Sequence, residues 1–260
     1  MSLPDPLVMR AADLRSEGRY ADALRLLQQA LAETEHELAP GRSSIFMTMF
    51  QWEMLADEHA PALAALREVR DDQILRVLAG DLYVGRTAPD ALDAGMFHRI
   101  TRFSLIVDMN GTLRQPQSTH DLFARLDVVQ PKLASQYAWL ALPDVVAAGN
   151  FALANRYRGE PLAQLGAVNA SARSRPLFPA PGAAPRLASE LTTLVRDVRI
   201  GVAVLRGLGD EAGAQALDAT LLAGLASDEM RRLARRELIE PGAITREIVE
   251  RQMAQEELAG

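Results

Sequence analysis

Four histidines are the residues of this chain best suited to acid–base chemistry or metal binding, because imidazole titrates near neutral pH and ligates metals. They are His36, His59, His98 and His120. No two of them stand at the i, i+4 spacing that places side chains on one face of a helix. Glu37 and Glu58 are directly adjacent to a histidine, so in a helix each pair points about 100° apart. The spacing therefore predicts surface or core histidines rather than catalytic or metal-binding ones.

Other signatures of chemistry are also missing from the sequence. There is no cysteine, which excludes disulfides, thiol catalysis and zinc–cysteine sites. There is no GxxxxGK[ST], no GxGxxG after a strand, no HExxH and no GxSxG. The paired acids Asp71-Asp72 and Glu256-Glu257 are typical of solvated helix faces. We therefore predict no catalytic residue, no cofactor and no metal, although scattered side chains can still converge in space.

The charge balance favours a protein partner over nucleic acid. The formal net charge is −6, with 48% hydrophobic and 24% charged residues. A nucleic-acid binder usually carries a basic excess or stripe that meets the phosphates. The densest basic cluster, Arg231, Arg232, Arg235 and Arg236, is flanked by Glu229 and Glu237. An acidic surface is better suited to a basic protein than to DNA or an anionic membrane.

The sequence also indicates a compartment. Its first residues lack a basic start followed by an apolar run, and no stretch approaches the roughly 20 apolar residues of a membrane span. We therefore expect a cytoplasmic protein that does not enter a membrane. Lys132 is the only lysine against 27 arginines, which indicates a GC-rich bacterial genome.

The N-terminal segment predicts two short amphipathic helices across a tight turn. Leu7, Ala11 and Leu14 recur at helical spacing, Gly18 interrupts the pattern, and Ala23 begins a second apolar stripe. Two such helices form an αα-hairpin, in which each stabilises the other by burying a shared face. Aromatic residues make up only 5% of the chain, so the core must be built mainly from alanine, leucine, valine and methionine, which favours an all-α fold.

The segment GRYADALRLLQQALAE, residues 18–33, resembles the turn and second helix of a tetratricopeptide repeat. Gly18 matches the turn glycine, Tyr20 the following aromatic residue, and Ala23 the small residue where the paired helices cross. Two positions depart from the family pattern, since Leu7 replaces the usual tryptophan and Glu35 the closing proline. The resemblance implies an irregular, tetratricopeptide-like array of antiparallel helix hairpins in a right-handed superhelix.

Weaker copies of this pattern recur, as an array requires, because one hairpin cannot bury its outer face. His59 takes the aromatic position and Ala62 the crossing position in residues 52–71. The segment GNFALANRY repeats the pattern with Ala154, and GDEAGAQAL keeps Ala214 but loses the aromatic residue. The crossing alanines are unevenly spaced, which predicts a degenerate array.

Several helix boundaries are also predicted. Residues 90–111 have the length of one helix, Ser118 or Thr119 is a candidate cap for the next, and Pro131 and Pro143 mark later boundaries. The segment from Ser171 to Arg186 holds four prolines and a glycine and predicts a loop. Four helices are predicted after it, at about 187–206, 211–225, 228–238 and 243–258. The predicted organisation is a repeat region over residues 1–178 and a C-terminal helical bundle or cap over 179–260.

The segment IFMTMFQWEML, residues 45–55, is hydrophobic almost all round, which is typical of a central core helix. The alternative is that one of its faces lines a groove, where methionine adapts to a partner.

The family resemblance also implies a partner-binding groove along the first helices of the hairpins. If Ala23 is aligned with the crossing position of the repeat, the family's groove positions fall on Asp5, Val8, Ala12, Arg15 and Ser16. If Ala154 is aligned with that crossing position instead, the groove positions fall on Gln136, Trp139, Val146 and Ala147. Trp139 is the candidate interface anchor, with burial as the alternative.

We therefore predict a non-enzymatic helical scaffold that holds a protein or peptide. Two roles stay open: an adaptor or chaperone of a larger assembly, and an immunity or inhibitor protein that neutralises a basic toxin. One further alternative is a regulatory module that binds a small molecule between helices. The other is an α-helical enzyme in which a histidine and two carboxylates meet in one cleft.

Overall fold

The protein is all-helical. The computed structural model describes residues 5–38, 40, 42–86 and 99–259. Within them the helices are α1 (Pro6–Ser16), α2 (Tyr20–Thr34), α3 (Arg42–Glu58), α4 (Ala60–Leu78), α5 (Arg102–Thr112), α6 (Pro116–Val129), α7 (Pro131–Ala147), α8 (Phe151–Tyr157), α9 (Leu165–Ser171), α10 (Arg186–Gly207), α11 (Glu211–Gly224), α12 (Asp228–Ile239) and α13 (Ala243–Ala259). The described residues contain no β-strand, only isolated bridges such as Tyr83 with Thr101. The predicted all-α class is confirmed.

Contacts within the chain separate two compact units, Met1–Asp144 and Val145–Gly260. The division between residues 178 and 179 that the sequence predicts lies inside the second unit and stays a prediction.

The first helix pair, α1 and α2, packs as the sequence predicts. Gly18 lies between the helices with φ +74°, a backbone conformation that favours glycine. Ala23 and Ala30 are fully buried and Ala11 is nearly so, which lets the two helices approach closely. The ring of Tyr20 packs against the core cluster.

Helix α3 has a core face and an open face, so the segment is not enclosed on all sides, and the binding of a partner by its open face stays a prediction. Trp52 and Leu55 are fully buried, and Ile45 and Met49 nearly so. The indole nitrogen of Trp52 donates a hydrogen bond to the carbonyl of Ala62 at 3.0 Å, which joins α3 to α4. The opposite face of α3 remains exposed.

A buried polar network joins three segments of the first unit. The Arg102 guanidinium is 2% exposed and donates to both Glu35 carboxylate oxygens, at 2.5 and 2.8 Å. It also donates to Gln73 at 2.7 Å and to Asp81 at 2.7 Å. Burial acts to raise the pKa of Glu35, but the hydrogen bonds and charge of Arg102 outweigh it and hold that pKa below its ordinary value.

The predicted single helix over residues 90–111 is wrong at residues 99–101, and its first part, 90–98, lies outside the described residues. Residues around Ile100 are extended and pair with the segment after α4: Val84 donates to Ile100 at 3.0 Å, and Arg102 donates to Leu82 at 2.9 Å. The Thr101 hydroxyl then accepts from the Ser104 amide at 3.1 Å and caps α5. Tertiary pairing therefore sets the start of this helix.

Two other boundaries predicted from local signals are wrong. Helix α6 begins at Pro116, so neither Ser118 nor Thr119 caps it; Thr119 is instead buried and hydrogen bonded to Asn110. Pro143 lies inside α7 rather than at a boundary. An internal proline costs about 3 kcal/mol. The nearby residues Leu142 and Val145 are buried, and burying such side chains contributes about 1.5–3 kcal/mol each. Burial of these side chains therefore offsets the cost of a proline inside α7.

The second unit is built around α10, whose apolar face forms the centre of a cluster with α11, α12 and α13. The four helices predicted here are confirmed to within two residues at each end. The proline-rich segment before them is non-helical, as predicted, and it is tied to the same core. Leu177 is buried, and the Arg251 guanidinium lies 3.6 Å from the centre of the Phe178 ring.

Gly207→Ala should destabilise the second unit, because a Cβ at position 207 would lie 2.2 Å from the ring of Phe151. We expect the free energy of unfolding to fall by about 1–3 kcal/mol, as for other overpacked sites. Chemical denaturation checks the prediction. The matched control is Gly166→Ala, since a Cβ there meets nothing within 4 Å and should leave stability unchanged or raise it by up to about 1 kcal/mol. Equal effects of the two substitutions would contradict the packing argument.

Candidate partner-binding groove

A groove of about 680 Å³ opens in the first unit between one face each of α3, α5 and α7. On α3 the lining residues follow helical spacing: Arg42, Ile45, Phe46, Met49, Phe50 and Glu53. On α5 and α7 they are Ser104, Val107, Asp108, Gly111, Thr112, Gln136, Tyr137, Trp139 and Leu140. The other described residues of the lining are Tyr83, Arg99, Ile100 and Thr101.

Contacts between the helices show that α3 and α5 run in the same direction. Only His59 separates α3 from α4, and Trp52 of α3 bonds to Ala62 near the start of α4, so this pair is antiparallel. Arg70 of α4 donates to Asn110 near the end of α5 at 2.6 Å. Further along α4, the side-chain oxygen of Gln73 accepts from Arg102 at the start of α5. Helices α4 and α5 are therefore antiparallel too.

Helix α7 shares this direction. Near the start of α5, the ring of Phe103 stacks on Tyr137 of α7 with centroids 4.5 Å apart. Near the end of α5, Asn110 donates to the Thr119 hydroxyl at 3.1 Å, and Thr119 also hydrogen bonds to Asp144 of α7. Three parallel helices thus form the walls of the groove.

Large aromatic side chains stand exposed in this groove. Phe46 is 66% exposed, Phe50 43% and Trp139 57%. The two phenylalanine rings are one helical turn apart on α3, with centroids 6.3 Å apart and planes 14° from parallel. Exposed apolar side chains gathered on one concave surface are typical of sites that bind a partner or a ligand.

One end of the groove holds two tyrosines and a buried arginine. The Arg99 guanidinium lies 4.5 Å from the centre of the Tyr83 ring, a cation–π contact, and its residue is 8% exposed. Tyr137 is nearly buried. Burial, with a smaller contribution from the charge of Tyr83, raises the pKa of Tyr137 to about 12, so its hydroxyl stays protonated at neutral pH.

Two carboxylates, Glu53 on α3 and Asp108 on α5, line the groove. Although much of the Asp108 side chain reaches solvent, the protein packed around its carboxylate raises its pKa by desolvation. Neither carboxylate makes an ion pair with any residue that the structure describes. A cation brought into the groove would therefore meet two carboxylates that have no ion pair with a described residue.

Of the residues predicted from the family frame, Gln136 and Trp139 lie in this groove. The others lie elsewhere. The Asp5 carboxylate caps α1 by accepting from the Leu7 amide at 2.8 Å, and Val8 is buried. Ala12 and Val146 are half-buried, Ala147 is exposed, Arg15 pairs with Glu58 at 2.6 Å, and the Ser16 hydroxyl donates to the Asp13 carbonyl at 2.7 Å.

The α5 wall of the groove was missed by sequence reasoning. Asp108 lies in the run FSLIVDM, residues 103–109, whose apolar character predicts a buried helix, and Gly111 follows that run. The available signal was the spacing of Ser104, Val107, Asp108 and Gly111, which places small and polar residues on one face of a helix.

The histidines do not assemble a site among the described residues. The ring of His59 packs 5.7 Å from Tyr20, and His120 hydrogen bonds at 2.9 Å to the adjacent Asp121 on α6, away from the groove. His98 lies outside the described residues. No group of three or more histidine, aspartate or glutamate side chains suited to a metal ion occurs in the described part of the chain. None of the helices described there combines the length and apolar character needed to cross a membrane.

Comparison of the chain with protein-family models, with curated proteins and with solved structures found no match.

Proposed function

We propose that this chain is a non-enzymatic helical protein that binds a segment of another protein in the groove between α3, α5 and α7. The observation that carries the proposal is the group of exposed rings, Phe46, Phe50 and Trp139, on one concave surface. Aromatic side chains in concave surfaces are frequent hot spots of protein–protein binding.

The resemblance to tetratricopeptide repeats supports this proposal. In that family the first helix of each hairpin lines the concave groove, and here the odd-numbered helices α3, α5 and α7 line it. The proposed crossing alanines Ala23, Ala62, Ala154 and Ala214 are all fully buried. The turn glycines Gly18, Gly149 and Gly209 all have positive φ angles between consecutive helices. A tetratricopeptide-like arrangement is therefore part of the proposal.

The distribution of charge favours a basic partner. Residues 1–144 hold 20 acidic and 14 basic side chains, and residues 145–260 hold 14 of each. The whole net charge of −6 therefore falls on the unit that contains the groove. Such a field speeds the encounter with a positively charged protein.

Two roles fit such a partner: an adaptor or chaperone of a larger assembly, and an immunity or inhibitor protein for a basic toxin. Co-purification from the native host separates them. Recovery of one basic enzyme at a stoichiometric ratio supports inhibition, whereas recovery of several structural components supports the adaptor role.

A second candidate function, the binding of a small molecule, is favoured by the size of the groove. Small-molecule sites commonly measure about 300–1,000 Å³, and this groove has about 680 Å³. Tyr83, Tyr137 and Arg99 supply the mixed apolar and polar lining that such sites use. Binding of a protein segment remains our first proposal, because three large aromatic side chains stand exposed together on one surface.

Filling the groove tests the proposal. Gly111→Leu should abolish partner binding while the protein stays folded, because Gly111 lines the groove and a Cβ there meets nothing within 4 Å. Leucine also has the higher helix propensity, so α5 should not be weakened. Peptides of about 16 residues, enough for four helical turns, are selected from a random display library on the whole protein. We expect at least a thirtyfold loss of affinity, about 2 kcal/mol, on Gly111→Leu.

The control for this experiment is Gly166→Leu in the second unit, where a Cβ also meets nothing within 4 Å and which does not line the groove. It should bind the selected peptides as the parent protein does. Selected peptides that bind all three proteins equally, or a selection that yields no binder, would refute a protein-binding groove. A compound that raises the melting temperature of the parent but not of Gly111→Leu would instead favour the small-molecule function.

A further inference from the structure

We propose that the groove is directional: it takes an apolar partner segment whose cationic side chains lie beside Glu53 and Asp108, towards the C-terminal ends of α3 and α5. This inference rests on the proposed function and adds to it the chemistry and the orientation of the partner. It follows from the shared direction of the groove helices and from where the charges lie along them.

The charges in the groove are sorted along its length. Arg42 is the first residue of α3, and Glu53 lies eleven positions later on the same face, about 16 Å further along the helix. Arg99 precedes α5, and Asp108 lies beyond its middle. Because α3 and α5 are parallel, both arginines lie at one end of the groove and both carboxylates towards the other.

The helix dipoles reinforce this sorting. The N-terminus of a helix carries about half a positive charge and the C-terminus about half a negative charge. In a pair of parallel helices these partial charges add instead of cancelling. The dipoles therefore make the end where α3 and α5 begin the positive one, and the end towards Glu53 and Asp108 the negative one.

The aromatic rings lie between these two ends and can hold a cation as well as an apolar group. Phe50 precedes Glu53 by three positions, so the ring and the carboxylate are neighbours on the surface of α3. An arginine or lysine placed there meets a carboxylate and an aromatic face together. Desolvation raises the pKa of Asp108, and the charge of a cation beside it would offset part of that penalty.

The partner segment that fits is thus apolar in its middle and basic at one end. The reverse orientation would move the basic end away from Glu53 and Asp108 to the N-terminal ends of α3 and α5, where the helix dipoles oppose a cation.

The test uses the display-selected peptides that bind the parent protein but not the Gly111→Leu variant, because their binding depends on an open groove. We expect these peptides to be enriched in arginine or lysine at one end. Their affinity should fall about tenfold for Glu53→Gln and for Asp108→Asn, and it should fall further as salt is raised. The matched control is Asp57→Asn, because Asp57 is an exposed acid on α3 that does not line the groove.

Orientation is tested by charge reversal and by crosslinking. Glu53→Arg should restore the binding of a peptide whose basic end has been changed to glutamate. A photoreactive group at the basic end of the peptide should label residues near Glu53 rather than residues near Arg42.

Three outcomes are distinguishable. A fall in peptide affinity for both Glu53→Gln and Asp108→Asn, with no change for Asp57→Asn, supports the inference. Peptides that need an open groove but ignore Glu53→Gln and Asp108→Asn, or that crosslink near Arg42 through their basic end, overturn the inference and leave the proposed function standing. Absence of any groove-dependent peptide overturns both.

Discussion

Replacing Arg102 with alanine is expected to lower the free energy of unfolding by about 3–5 kcal/mol, the range for breaking a buried ion pair by removing one partner. The Arg102 side chain is 2% exposed and Glu35 is 14% exposed, so the carboxylate left behind has little access to water. Gln73 would lose its bond to Arg102 at the same time. Urea denaturation followed by circular dichroism measures the effect.

The pH dependence of this effect separates loss of the ion pair from loss of packing. In the folded parent the pKa of Glu35 is lowered, so its contribution to stability is complete above the ordinary carboxyl pKa, about 4.3, and is lost as the pH falls through the lowered value. In Arg102→Ala, Gln73 and Arg76 would still act to lower the pKa of Glu35, but the hydrogen bonds and charge of Arg102 would be gone. The pKa of Glu35 would therefore lie above its value in the parent, and the variant would lose less stability on protonation of Glu35. The stability difference between parent and variant should therefore narrow as the pH falls below about 5.

A matched control replaces the three most buried members of the network with apolar side chains. The triple substitution Glu35→Leu, Gln73→Met and Arg102→Met removes the buried charges, and Asp81, which it leaves in place, has a side chain that is 50% exposed and can be solvated. Apolar replacement of buried ion pairs is often neutral or stabilising, so most of the lost stability should return. A triple variant as unstable as Arg102→Ala would show that the effect comes from the shape of Arg102 rather than from an unpaired charge.

Alanine substitution of the two tryptophans should give opposite results. Trp52→Ala is expected to lower the free energy of unfolding by about 3–5 kcal/mol, because a fully buried indole is replaced by a cavity. Trp139 is 57% exposed, so Trp139→Ala should change stability by no more than about 1 kcal/mol. Its effect should fall on binding, with a loss of at least thirtyfold for groove-dependent peptides, about 2 kcal/mol.

Fluorescence checks this prediction directly, because the chain has only two tryptophans. Each single variant retains one indole. We expect Trp139→Ala to emit as a buried indole and Trp52→Ala to emit as an exposed one, and addition of a selected peptide should shift the emission of Trp139. Equal destabilisation by the two substitutions would contradict the assignment of Trp52 to the core and Trp139 to the groove.

The helices themselves were largely predictable from the sequence. The N-terminal pair lies on either side of Gly18 as predicted, and the four C-terminal helices lie within two residues of their predicted ends. Periodicity, glycines and prolines act over one or two helical turns, so neighbouring residues carry enough information to set these elements. The same local signals failed at Pro143 and at the start of α5, where packing or pairing with distant segments outweighs them.

The candidate groove was predictable only in part. The family frame placed Gln136 and Trp139 on its wall, but it also selected Val8, which is buried, and Arg15, which pairs with Glu58. A hydrophobic pattern that surrounds a helix cannot tell which face will be covered. For α3 that choice left Phe46 and Phe50 exposed and Trp52 enclosed.

By itself, the sequence determined that this protein is helical, that small residues such as Ala23 lie where helices approach closely, and that the chain is acidic. Only the tertiary structure decided that α3, α5 and α7 lie parallel, with Phe50, Asp108 and Trp139 on one groove. The physical reason is the separation along the chain of the residues that interact. Helix formation depends on residues a few positions apart, whereas a shared surface depends on contacts between segments far apart in the chain.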